Sequence, residues 1–210
     1  MKNLLYVAGF LTLFFLGACK DEKLPYYGDA AHRIADFRFR NQDSVWISND
    51  SFADKIYVAD FFFTTCPTIC PIMSKNLQRV ATHFKGNPSI AILSHSIDPK
   101  HDSIPVLKKY AEKLGADTSL WHFVGGPAEQ VYTLAEKSYF AAAAEEEEAP
   151  GGYIHSGSFA LVDRDRRIRG IYDGTVDEQV SKLIDDMEIL LKENNGLTKE
   201  LKNKNNDHTK

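Results

Sequence analysis

Hydrophobic positions recur with period two in some stretches and about 3.6 in others, and the switches between the two mark the elements. From Ile34 to Arg40 the sequence IADFRFR alternates, with Ile34, Phe37 and Phe39 inward, and Ser44 to Ser48 repeats the habit after a turn at Asn41 to Asp43. This predicts a β-hairpin leading into the domain. Ile56 to Phe63, IYVADFFF, and Ser89 to Ile97, SIAILSHSI, are nearly continuous apolar runs. Such runs fit central strands covered on both faces. From Pro71 the spacing turns helical, with Ile72, Met73, Leu77, Val80 and Phe84 on one side and Lys75, Asn76 and Arg79 on the other. Pro71 suits a first turn, and Gly86, Asn87 and Pro88 end the pattern.

The rest follows the same logic. A helix is expected from Ile104 to Leu114, stopping at Gly115, then a short strand at Leu120 to Val124 and a helix from Pro127 to Lys137. Strands at Ser158 to Val162 and Ile168 to Tyr172 turn at Asp163 to Arg166, and an amphipathic helix covers Val176 to Lys192. Strand, helix, strand, helix, then an antiparallel pair and a helix predicts an α/β fold: a thioredoxin-like sandwich with a central mixed β-sheet flanked by helices.

Four segments fall outside that pattern. Residues 1–19 read as an export signal, with Lys2 as the charged region, an apolar run from Leu4 to Leu16, and Gly17 and Ala18 before Cys19. The run is short for a membrane span. Its ending, LGAC, resembles a bacterial lipobox, which makes Cys19 the lipidated residue and places the domain outside the cytoplasm. Residues 20–32 then form a polar tether, 33–193 the folded domain, and 194–210 a disordered polar tail. Within the domain, Ala141 to Gly152 (AAAAEEEEAPGG) is expected to be an acidic, solvated low-complexity insertion.

Composition narrows the function. A chain of 210 residues can bury one full core, and a net charge of −4 with both signs mixed offers no basic face for nucleic acid. Of three cysteines, lipidation consumes one, leaving Cys66 and Cys70 in FFFTTCPTICPIM. They lie where a strand hands over to a helix, so unpaired backbone N–H groups favour the thiolate. A thiolate binds soft metals or attacks disulfides, and in an oxidising envelope the pair becomes a disulfide unless reduced or metallated. The residues alone leave both chemistries open. A peroxiredoxin-like PxxxTxxC is absent.

FFFTTCPTICP, then SIDPKHD, then IHSGSFALVD, in that order and spacing, resemble the Sco (SenC) family over about Ile34 to Leu191. That family comprises thioredoxin-fold copper proteins serving assembly of the copper centre of cytochrome c oxidase. The resemblance implies copper ligation by Cys66, Cys70 and His155. Two thiolates and an imidazole suit copper as Cu(I) or Cu(II) and disfavour hard cations. Cys66 and Cys70 are also the redox-active disulfide pair, with Cys66 as the expected nucleophile. Asp98 of the DPxxD block is either a support beside the metal or a turn residue, and Asp102 is expected to cap the following helix. His95, His101 and Met73 are given no metal role. The family often has an Asp before the ligand His, where this chain has Ile154.

The resemblance thus implies a metallochaperone whose partners are the copper-centre subunit of cytochrome c oxidase and a thioredoxin-like reductant. The domain is expected to be a monomer, tied to a bacterial envelope membrane through its N-terminal lipid and facing the periplasmic side. The alternatives are a thiol:disulfide oxidoreductase that keeps the oxidase cysteines reduced, or a copper or redox sensor.

Overall fold

The computed structural model describes residues 23–207, with side chains described through residue 193. Strands β1 (Arg38–Asn41) and β2 (Trp46–Ser48) form the expected antiparallel hairpin, followed by a single 3-10 turn at Asn49–Phe52. Then come β3 (Ile56–Phe62), α1 (Cys70–His83), β4 (Ile90–Ser96), α2 (Ile104–Leu114), β5 (Trp121–Gly125) and α3 (Ala128–Tyr139). Strands β6 (Ala143–Glu145) and β7 (Tyr153–His155) precede β8 (Ser158–Val162), β9 (Ile168–Asp173) and α4 (Asp177–Asp207).

Seven strands make one mixed sheet in the order β2-β1-β5-β4-β3-β8-β9. β3, β4 and β5 run parallel, and β1, β8 and β9 are antiparallel to their neighbours. All seven residues of β3 and of β4 are buried, which accounts for their unbroken apolar sequences. Successive side chains on β3 serve opposite faces. Phe62 stacks on Tyr110 of α2, whose hydroxyl bonds Ser74 of α1, whereas Phe61 packs edge-on against Tyr139 of α3. α4 contributes Val180, Leu183, Met187 and Leu190, none of them exposed. Burying each such side chain is worth about 1.5–3 kcal/mol.

Several expectations change. Ile72 is exposed and Asn76 is buried, the reverse of the expected sides, because the buried stripe of α1 runs through 73, 76, 77 and 80. Asn76 is satisfied there by donating to the Gly174 carbonyl at 2.8 Å. Residues 24–27, expected in the tether, are docked on the sheet. Tyr27 N–H donates to the Ile168 carbonyl, and the buried Arg169 guanidinium takes the carbonyls of Leu24 and Pro25 as acceptors. A buried cation needs such partners, and this backbone supplies them.

The helical backbone of α4 continues to Asp207 instead of stopping at Lys192, through most of the stretch expected to be disordered. Leu, Lys and Glu in that stretch are good helix formers, and propagation from a packed helix needs no new nucleus. The 141–152 insertion is likewise not a loose loop. Phe140 takes a left-handed conformation (φ 54°) after α3, and Ala143 to Glu145 then pair antiparallel with Tyr153 to His155.

Candidate metal centre

β3 delivers the chain to the thiol loop. After Phe62 the backbone turns tightly, Cys66 N–H donating to the Phe63 carbonyl at 3.2 Å, and α1 begins at Cys70 with Pro71 in its first turn. The residue before the helix, Ile69, provides no side-chain cap, so the first N–H groups stay available. Those of Thr68 and Cys70 donate to the Cys66 sulfur. Burial alone raises the Cys66 pKa, but these bonds, with the Cys70 thiol and the Thr68 hydroxyl, outweigh it and leave it below the ordinary thiol value. Cys70 lies deeper, and burial, with the neighbouring Cys66, pushes its pKa well up.

The third side chain arrives from the far end of the chain. His155 ends β7 and reaches over the helix start, its Nε2 3.2 Å from the Cys70 sulfur and 3.8 Å from that of Cys66. All three ligand atoms lie within 4.8 Å of one another, and both thiols are free. His155 Nδ1 lies 3.2 Å from the Ser156 carbonyl oxygen. A carbonyl only accepts, so this bond keeps the proton on Nδ1 and leaves the Nε2 lone pair facing the sulfurs. Burial lowers the His155 pKa, so the ring is neutral at pH 7.

Two thiols, one ionising readily, and a neutral imidazole make a soft donor set. Ligand atoms this close are separated by about two bond lengths to a common ion, given metal–nitrogen and metal–sulfur bonds of about 2.0–2.3 Å. The residues therefore fit a single soft metal ion. The same thiols also fit disulfide exchange, with Cys66 attacking and Cys70 resolving.

Asp98 is fully buried and lies outside this cluster. Its Oδ1 accepts from the Tyr153 hydroxyl at 2.8 Å and from the His101 N–H at 3.2 Å, and its Oδ2 lies 2.7 Å from His101 Nδ1. It is thus both a turn residue and a link to the strand that carries His155. Asp102 is not the helix cap, since Ser103 holds that position. Its carboxylate is buried and accepts from the Thr64 hydroxyl, the Thr64 N–H and the Ser96 hydroxyl. His95 and Met73 are core residues, His95 stacked on Phe61. Cys19 lies outside the described residues. Tyr153, Thr64 and Phe63 support the site without any motif in the sequence that marks them. A tyrosine two residues before the candidate ligand, on the same face of a strand, was the available signal.

The sequence model of the SCO1/SenC family matches residues 27–192. A SCO1 protein homolog of Bacillus subtilis (strain 168) is 30% identical over 189 residues, covering 89% of this chain and 96% of that protein. The crystal structure of a SCO1/SenC family lipoprotein from Bacillus anthracis str. Ames superposes with a TM-score of 0.70 at 29% identity, covering 80% of this chain and 99% of that one. A second structure, of BsSco, is described as a member of the Sco family of cytochrome c oxidase assembly proteins with a disulfide switch. It has the same TM-score and identity, and covers 80% of this chain and 98% of that one.

Proposed function

The chain belongs to the SCO1/SenC family, and on that premise we propose that it is a copper-binding metallochaperone for assembly of the copper centre of cytochrome c oxidase. The observation that carries this reading is the convergence of Cys66, Cys70 and His155 on one point. No two of these functional groups are supplied by the same element. A site whose third ligand comes 85 residues after the second (155 − 70) exists only in the folded domain, which ties metal retention to folding.

Each side chain has a distinct task. Cys66 ionises first, because backbone N–H groups stabilise its thiolate, and it makes the first bond to the metal. Cys70 gives up its proton only as the metal replaces it, so loading releases protons and tightens as pH rises. His155 needs no deprotonation and presents a prepared lone pair. Copper, as Cu(I) or Cu(II), is cargo here. Three protein ligands leave room for a recipient's ligand to enter before one of these leaves, and delivery to the oxidase copper subunit proceeds by that exchange.

Loading requires free thiols. A thioredoxin-like dithiol would attack Cys66 of the oxidised pair and release Cys70. Its second thiol would then free Cys66, leaving the reductant as the disulfide. The same geometry favours a second reading, a thiol:disulfide oxidoreductase acting on the oxidase cysteines, because an easily ionised Cys66 stands beside a protonated Cys70. We further propose that Cys19 carries a lipid that holds a monomeric domain on the outer side of a bacterial membrane. The lipoprotein relative supports this, and among the described residues no helix is long and apolar enough to cross a membrane.

The test uses the reduced protein. Copper stoichiometry and affinity are measured for wild type, Cys66→Ser, Cys70→Ser and His155→Ala while disulfide turnover is followed in parallel. One ion per chain, lost with either serine and weakened by His155→Ala, is expected. Unchanged copper affinity in His155→Ala together with fast disulfide turnover would replace the chaperone reading with the reductase.

A further inference from the structure

His155 is carried by a strand that the main sheet does not hold. Among the described residues β7 pairs only with β6, and this two-stranded arm is separate from the seven-stranded sheet. β7 alternates, with Tyr153 buried and His155 turned toward the thiols on one face and Ile154 46% exposed on the other. Some contact on the inner face must therefore set how far along the thiol loop the imidazole sits.

That contact is visible. The Tyr153 hydroxyl donates to Asp98 at 2.8 Å, and Asp98 is itself fixed in the turn after β4 by His101. Phe63, the last residue before the thiol loop, packs against Tyr153 with ring centroids 5.3 Å apart and against His155 at 5.7 Å. Gly151 brings the arm down onto the loop, where a side chain would start only 2.7 Å from Phe63. Another tie between arm and body, Lys100 to Glu145, joins two exposed side chains and contributes little.

Resting on the copper reading of the site, we propose that Tyr153 is a positioning residue for His155: its hydroxyl, anchored on Asp98, registers β7 so that Nε2 faces both sulfurs. Tyr153 and His155 stand two residues apart on one face, about 7 Å along the strand, so a slip at the hydroxyl is passed directly to the imidazole. The thiol half is held separately, through Thr64 on Asp102. One short segment, residues 98–102, thereby references both halves of the site to β4.

A double-mutant cycle tests this. Cu(I) affinity is measured by competition with a chromophoric chelator for wild type, Tyr153→Phe, His155→Ala and the double variant. Tyr153→Phe is expected to weaken binding roughly tenfold, as loss of a partner behind a metal ligand typically does, and to change nothing further once His155 is alanine. An equal penalty in both backgrounds, or none in wild type, overturns the proposal. The metal-free reduced protein gives an independent readout by nitrogen-15 NMR of the His155 ring. Tyr153→Phe and Asp98→Ala are each expected to shift its ring resonances while the amides of β3, β4 and β5 stay in place; an unmoved ring in either variant overturns the proposal. His155→Ala binding copper as tightly as wild type overturns the copper reading instead, and the ring resonances then decide the positioning role alone.

Discussion

Thr64 is tied to Asp102 twice: its N–H donates to the carboxylate at 3.1 Å and its hydroxyl at 2.5 Å. The same carboxylate accepts from Ser96 at 2.5 Å, so one buried acid holds the start of the thiol loop to the end of β4. Asp102→Ala leaves three donors without an acceptor. Stability in urea is expected to fall by about 3 kcal/mol, and Cys66 should react faster with iodoacetamide as its loop loosens. Unaltered stability would show that water replaces the carboxylate.

Cys66 and Cys70 should separate by reactivity. Backbone N–H donors hold the Cys66 pKa below the usual thiol value despite burial, while burial and the adjacent Cys66 hold that of Cys70 well above it. In metal-free Cys70→Ser, alkylation should therefore reach half its limiting rate at a lower pH than a free thiol. In Cys66→Ser, alkylation at pH 7 should be slower by at least tenfold. Stopped-flow alkylation across pH checks both, and similar profiles would contradict the assignment of Cys66 as the nucleophile.

Two buried core groups pull stability in opposite directions with pH. Burial raises the Asp60 pKa to about 7, partly offset by the Ser94 hydroxyl. The folded state therefore binds the Asp60 proton more tightly, and its contribution, complete below about 4, is lost as pH rises to about 7. His95 is buried with neither ring nitrogen bonded, and burial lowers its pKa to about 3. Its contribution is complete above about 6.5 and is lost as pH falls toward 3. Relative to wild type between pH 4 and 7, Asp60→Asn should gain stability as pH rises and His95→Leu should gain it as pH falls, each by a few kcal/mol across the range. Urea midpoints at several pH values check the signs.

Arg169 closes the opposite end of the molecule. Its guanidinium, 3% exposed, reaches Asp163 at 3.3 Å and Glu193 at 2.9 Å as well as the Leu24 carbonyl at 2.7 Å. Arg169→Met leaves two carboxylates without their cation, one buried and one partly buried, and should cost about 3–5 kcal/mol. It should also free residues 24–27, so trypsin is expected to cut after Lys23 faster than in wild type. An unchanged cleavage rate would show that other contacts hold the segment.

What the sequence revealed depended on whether its cause was local. β3 and β4 are readable because a strand covered on both faces must be apolar throughout, and Cys66 and Cys70 because both sit at one strand-to-helix junction. His155 is 85 residues away (155 − 70) and emerged through the family resemblance, since a lone histidine carries no mark of what it faces. The arm at 143–155 was hidden because alanine and glutamate have little strand tendency; its pairing and the Tyr153–Asp98 bond supply the order instead. Arg169, within a run of basic residues, gave no hint that its partners were the backbone at 24–25.

The central claim is that Cys66, Cys70 and His155 together bind one copper ion. X-ray absorption of the copper-loaded, reduced protein tests it most directly, because it counts the donor atoms. Two sulfurs and one imidazole nitrogen are expected, the nitrogen vanishing in His155→Ala and one sulfur in Cys70→Ser. A shell without sulfur, or one that keeps its imidazole in His155→Ala, would contradict the account.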